Sequence, residues 1–318
     1  MNFYKKKILL VTLCLFFLLG ATCYVEGATL YLASEHNVFH PGDIFVVSVK
    51  IDTAQGENIN AIEAYIKFPP SLLKVIDVSS GSSILTSIIS PQIDKEKGII
   101  SFAGIIPGGY SGPVLGDLGE SNLLEKIIFQ VRSDVKSVNK RKKSALVTFL
   151  DNSQILLNDG KGTAALLKKK GIVVDIIEGG KKSLRNEWKE ELQKDTLPPE
   201  DFRPYITKIK NLYYLVFVAQ DKQSGIDYYQ VFESRRPQTK IELSQWMRAQ
   251  SPYFLRDQSL RSYIYIQAVD KAGNKRLVTL EPQRQGHIIL YENYIIWVII
   301  LFGLIVTYLS RRYLWKRY

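Results

Sequence analysis

Residues 41–52, PGDIFVVSVKID, and residues 61–70, AIEAYIKFPP, decide the fold. In the second stretch Ile62, Ala64, Ile66 and Phe68 alternate with Glu63, Tyr65 and Lys67. A period of two with one apolar side predicts a half-buried strand. Pro69 and Pro70 have no N–H to give a ladder, so the strand ends there. The first stretch opens on a Pro-Gly-Asp turn, runs through the β-branched series Ile44–Ile51 and stops at Asp52. Working outward, Leu72–Val78, Gly98–Ala103, Leu123–Val131, Leu146–Leu150, Ile155–Leu157 and Gly171–Ile177 predict further strands. Gly, Pro, Asn and Asp cluster between them, and no long amphipathic helix precedes Lys181. Many short strands separated by turn residues predict an antiparallel β-sandwich over residues 28–178.

These residues also resemble a known family. Pro41–Asp52 is similar to the opening of a cohesin domain, and Ile62–Gly81 to its next strands and turn. Gly98–Gly104 and Ser111-Gly112 resemble its middle, Leu124–Phe129 a strand with a buried Phe, and Asn152–Gly160 with Gly171–Ile176 its end. The resemblance implies a jelly-roll β-sandwich, like that of cohesins and the related cellulose-binding modules. It also implies recognition of a partner protein, of the dockerin kind, through one sheet face. Fold alone does not fix function.

A second strand series follows at 202–283: Tyr205–Ile209, Tyr213–Gln220, Asp227–Glu233, Tyr263–Asp270 and Lys275–Leu280. Ser224-Gly225 and Ala272-Gly273-Asn274 supply the turns. About 80 residues suit a small sandwich. The Asp221–Asp227 and Ala268–Asn274 segments resemble bacterial immunoglobulin-like or fibronectin-III-like repeats, which implies a spacer. Between the two series, in a linker at 179–201, Leu184, Trp188 and Leu192 recur every four residues among charges. This predicts a short amphipathic helix over Lys181–Asp195, with Trp188 set against a domain or a partner. Pro198-Pro199 closes it.

The two ends are read together. Lys5, Lys6 and Lys7 precede the apolar run Ile8–Gly20, a pattern expected of a signal peptide cleaved near Ala28 or of an uncleaved signal anchor. Tyr294–Ser310 is apolar and uncharged, and Arg311, Arg312, Lys316 and Arg317 follow it. At 1.5 Å per residue, a helix of that length nearly crosses a ~30 Å hydrocarbon core. We therefore expect a transmembrane helix over 288–310 and a basic cytoplasmic tail at 311–318. Tyr294 and Trp297 are candidate interface anchors, and Arg311 and Arg312 are the charges that hold the C-terminus inside. A buried core helix is the alternative. The resulting expectation is a single-pass cell-membrane protein with the bulk of its chain extracellular.

Cys14 and Cys23, the two cysteines of the chain, lie in the leader, so a chain cut near Ala28 has no thiol chemistry and no disulfide. The net charge of +11 falls once the ends are set aside. Without the three lysines and Glu26 of the leader and the four basic residues of the tail, 35 basic and 30 acidic residues remain. Lys140–Lys143 and Lys168–Lys170 read as solvated loops rather than a nucleic-acid surface. His36 and His40 lack the convergent partners a metal site needs. Asp221 and Asp270 read as turn residues, with calcium the alternative. Gly-x-Ser-x-Gly, P-loop and dinucleotide signatures are absent. No catalytic, cofactor or metal residue is expected, and the chain reads as a non-enzyme. Tyr65, on the polar side of its strand, and Tyr110, in the glycine-rich segment 107–112, are candidate ligand-binding rings. The leading expectation is an adhesion or binding protein; a polysaccharide-binding module and a structural envelope protein are the alternatives.

Overall fold

The computed structural model describes residues 27–112, 122–134, 142–177, 184–283 and 296–308. Two compact units divide the chain: Met1–Leu197 with Asp221–Ile226, and Pro198–Gln220 with Asp227–Tyr318.

The strands of the first unit are β1 (Ala28–Ala33), β2 (Val38–Phe39), β3 (Ile44–Asp52), β4 (Ile59–Lys67), β5 (Leu73–Ser79) and β6 (Ser87–Asp94). Then come β7 (Ile99–Tyr110), β8 (Leu123–Val131), β9 (Lys143–Phe149), β10 (Gln154–Leu157), β11 (Leu167–Lys170) and β12 (Ile172–Ile176). They form two sheets. The smaller runs β11-β1-β3-β8-β5; the larger runs β2-β12-β9-β4-β7-β6, with β10 also paired to β4. The inner faces meet in one core. Phe39 stacks on Phe45 with centroids 4.1 Å apart, Phe45 on Phe129 at 5.7 Å, and Phe68 meets Phe129 edge-on at 5.4 Å. The expected alternation holds, since Ile62, Ala64, Ile66 and Phe68 are all buried. The all-β sandwich of this unit is therefore as the sequence indicated.

Four strands escape the sequence patterns, the two-residue β2 among them. β1 begins at Ala28, where the cut chain is expected to start, and Ala28 is fully buried. β6 contains Pro91, and its pairing with β7 shifts register between Ile89 and Gln92, so the proline sits at an irregularity of an edge strand. β11 is the lysine run 168–170 itself, paired parallel to β1.

The helix of the linker is shorter than its periodicity suggests. Here called α1, it spans Glu187–Lys194. Asn186 caps it by accepting from the Lys189 N–H at 2.9 Å. It belongs to the first unit and lies on the outer side of the smaller sheet. There Trp188 packs with Val46 and Ile128, and Ile44 and Leu192 flank them. Residues 178–183, which complete the expected helix and linker, lie outside the described residues.

The second unit contains β13 (Tyr205–Ile209), β14 (Leu212–Val216) and β17 (Tyr253–Phe254) in one sheet. β16 (Met247–Ala249), β15 (Ile226–Ser234), β18 (Tyr263–Asp270) and β19 (Lys275–Leu280) form another. Phe217, Val231, Leu255, Ile264 and Ile266 are buried in it. Asp257 organises the segment before β18. Burial pushes its carboxyl up. The hydroxyls of Ser259 and Ser262 and the N–H groups of Ser259 and Arg261 outweigh that and hold it down to about 2.

Residues 296–308 form an exposed helix. Among the described residues no helix is long and apolar enough to cross a membrane. The span expected at 288–310 is thus described only in part, because residues 284–295 and 309–318 lie outside the described residues, and with them Tyr294, Arg311 and Arg312. Trp297 falls in the helix with its ring exposed. The leader, residues 1–26, is likewise outside them.

Candidate functional site: the open face of the larger sheet

The outward positions of the larger sheet form rows across its strands. One row is Leu156 on β10, Ala61 on β4 and Ile105 on β7. The next is Gln154, Glu63, Ala103 and Ile89, from β10 to β6. A third joins Tyr65, Ser101 and Gln92. Small Ala61 and Ala103 stand between bulky Leu156, Ile105 and Ile89, and the result is an apolar groove of about 480 Å³ that Glu63 and Gln154 also line. Ile89 is 67% and Ile105 48% exposed. Toward β12 the apolar surface resumes with Leu146 and its cross-strand partner Val173, both half exposed or more.

Inward packing of the same strands explains why the groove keeps its shape. A Cβ at Gly104 would stand 2.8 Å from Leu85 Cδ1, so β7 packs closely on the Leu85 side chain there. Beyond it Gly109, at φ +82°, would bring a Cβ against the Asn58 amide. These glycines let β7 run on to Tyr110, past the point where alternation stops being visible in the sequence.

One carboxylate lies in the groove. Glu63 Oε1 accepts from the Tyr65 hydroxyl at 2.5 Å, and Glu63 Oε2 from the Gln154 amide at 2.8 Å. The Tyr65 hydrogen bond, then that of Gln154, holds the Glu63 carboxyl below its ordinary range, against a small opposing effect of burial. The face thus combines an apolar strip with a fixed negative charge. At its β12 end Asp175 pairs with Lys142 at 2.6 Å.

Tyr65 is where the alternation puts it, on the open face, but its hydroxyl is engaged by Glu63. Tyr110 is not an exposed ring. It is 9% exposed and part of the core cluster, because the end of β7 turns that side chain inward. That burial removes the ring face which stacking on a sugar needs. Asp221 accepts from the N–H groups of Gln223 and Gly225, and Asp270 accepts from that of Asn274. Ile89, Ile105, Leu156 and Gln154 were not singled out from the sequence. The available signal was weak: Ile105 stands among glycines and Ile89 beside a proline that hides its strand.

The opposite sheet shows what a covered face looks like. β1 pairs with β3 only as far as Ser48, which leaves the N–H groups of Ile44 and Val46 without a strand partner on that side. The Arg185 carbonyl takes the first at 2.9 Å and Glu187 Oε2 the second at 3.0 Å. Glu187 Oε1 meets His36 Nδ1 at 3.0 Å, and Lys126 on β8 pairs with Glu191 at 2.7 Å. Asp43 accepts from the Arg185 N–H, which fixes the strap where it arrives. His36 and His40 therefore serve this region, His40 beside Asp43 at 3.6 Å.

Comparison with known proteins agrees with this architecture. Residues 33–164 match the cohesin domain family, a span that stops before β11 and β12. No curated protein matches the chain. Among solved structures, a type I cohesin–dockerin complex from Clostridium thermocellum is similar at 20% identity over 47% of this chain and 99% of that one, with a TM-score of 0.34. The cohesin module of a Clostridium perfringens family 33 glycoside hydrolase matches at 12% identity over 46% and 96%, with a TM-score of 0.33. The seventh ScaB type I cohesin of Pseudobacteroides cellulosolvens matches at 13% over 49% and 96%, with a TM-score of 0.35. The family match thus falls within the first unit, on residues 33–164.

Proposed function

We propose that this chain is a non-catalytic binding protein that captures a dockerin-like partner on the open face of its larger sheet. One observation carries the reading: within a cohesin domain, the sheet face built by β4, β6, β7 and β10 leaves Ile89, Ile105 and Leu156 around a groove that no segment of the first unit covers among the described residues. Exposed apolar surface of this kind, rimmed by polar side chains, marks an interaction site. A docked domain would bury on the order of 800 Å² on each side. The second unit, as an immunoglobulin-like spacer, would hold this head away from a membrane. The leader would export it, and 288–310 would anchor it with the C-terminus in the cytoplasm. The expected location is the cell surface.

The test is direct binding. The full chain, immobilised, is titrated with a panel of type I and type II dockerin modules, and in parallel with soluble polysaccharides. Saturable dockerin binding that Ile105→Lys abolishes supports the reading. Binding of polysaccharide alone would replace it with a glycan-binding role. For the anchor, protease accessibility on intact cells must remove both units and spare the last residues.

A further inference from the structure

We infer that the outer face of the sheet β13-β14-β17, in the second unit, docks on a lipid surface with anionic headgroups, a role that rests on the membrane anchor proposed above. Three cross-strand rows make this face: Tyr205 with Val216, Thr207 with Tyr214 and Phe254, and Ile209 with Leu212. Alternation sets the side, since Leu215 and Leu255, one position over, are fully buried. Tyr205, Ile209, Leu212, Phe254 and, just past β14, Val218 are between 42% and 63% exposed. Lys210 and Asn211 make the hairpin turn, both at positive φ (48° and 65°), which suits a two-residue loop. The tight turn carries the apolar pair Ile209 and Leu212 to the hairpin tip. Exposed cations stand at both ends, Lys210 at the tip and Arg203 before β13, and no outward position in the three rows is acidic.

Charge and chain length select the occupant. Tyr and Phe rings settle at headgroup depth, and attachment to a bilayer grows with buried apolar area and with cations near anionic lipid. This face offers all of these on one side of one sheet. The chain runs from Leu280, the end of β19, to Tyr294, where the apolar run begins, so at most about 50 Å of extended chain separates this unit from the expected span. A second copy fits less well. Pairing two such faces about a two-fold axis sets Lys210 against Lys210 or against Arg203, with no carboxylate in the rows to offset the repulsion. A sugar chain needs polar side chains between the rings to bond its hydroxyls, and besides the tyrosine hydroxyls the rows supply only Thr207.

The experiment reconstitutes the full chain, with Cys14→Ser and Cys23→Ser, into vesicles of phosphatidylcholine alone or mixed with phosphatidylglycerol. A fluorophore is placed at Thr207→Cys, or at Gln267→Cys on the other sheet of the unit as reference. Flotation reads the anchor, and quenching by a headgroup-level nitroxide lipid reads the face. The label at 207 should be quenched in the phosphatidylglycerol vesicles and the label at 267 should not. Ile209→Asp should abolish that quenching while the chain still floats. Lys210→Asn, which keeps a residue suited to positive φ, should lower the docked-to-free ratio about 5-fold. A floating chain with neither label quenched, or both quenched alike, would overturn the inference and leave the anchor standing. A chain that does not float would remove the anchor and the inference together. Release of the 207 label by soluble polysaccharide would give the face to a glycan, and cross-linking of two chains through Thr207→Cys would give it to a second copy; either overturns the lipid reading.

Discussion

The two outer faces of the first unit's sandwich share one core and meet opposite fates. On the smaller sheet Val46 and Ile128 point outward and are buried, because α1 lays Trp188 over them. On the larger sheet Ile89 and Ile105 point outward and stay bare. The difference is one of chain supply. A strap of the protein's own sequence closes the first face with hydrogen bonds to the β3 backbone, a cap and an ion pair. The second face has apolar residues of the same kind and a carboxylate, and among the described residues of this unit no strap lies over it.

The comparison can be broken from behind. Phe129 sits between Phe45 and Phe68 in the core that both sheets share. Phe129→Ala should cost about 3–5 kcal/mol, read by urea unfolding, and should disturb both faces at once. A smaller loss should be confined to the covered side. Trp188 is 8% exposed, and Trp188→Ala should lower stability by about 2 kcal/mol while partner binding on the other sheet stays as it was. Loss of binding in that variant would mean the two faces are not independent. On the open side the pattern should invert: Ile105→Lys should shift stability by no more than about 0.5 kcal/mol and abolish partner capture.

The smallest effect is a titration. Glu63 has its folded-state carboxyl lowered by the Tyr65 and Gln154 hydrogen bonds. A lowered carboxyl favours the folded state above its unfolded value, and that contribution fades as pH falls through the folded one. Capture that depends on the Glu63 charge should therefore persist below the ordinary Glu range of about 4.3 before it fades. Tyr65→Phe, which removes the first donor, should move that midpoint upward, and pH-dependent binding isotherms would show it. An unmoved midpoint would mean that the charge plays no part in capture.

Much of the first unit was legible because a strand's alternation is a local property. β3, β4, β5, β8, β9, β10 and β12 all lie close to the strands read from the pattern. β6 was not legible, since a proline inside an edge strand reads as a break. Tyr110 was misplaced for a related reason. Its glycine-rich surroundings read as a loop, whereas the positive-φ glycines at 108 and 109 let the strand bend and turn the ring into the core. The groove itself was largely hidden. Its residues come from β4, β6, β7 and β10, and nothing in the sequence says that Ala61 stands between Ile105 and Leu156, or Ala103 between Glu63 and Ile89. One hint was present: Val46 and Ile128 are apolar on the side that alternation makes polar, which is the mark of a second cover.

Periodicity by itself determined which residues of each strand share a side, Ile62, Ala64, Ile66 and Phe68 above all, and so the expectation of a sandwich over residues 28–178. It could do so because side chains two apart on a strand point the same way whatever else the chain does. Only the tertiary structure decided which side would be covered and which left open. That choice depends on contacts such as Glu187 with Val46, separated by 141 residues, and on strands of distant origin lying edge to edge. No local rule carries such contacts, and the open face they leave is where the candidate site lies.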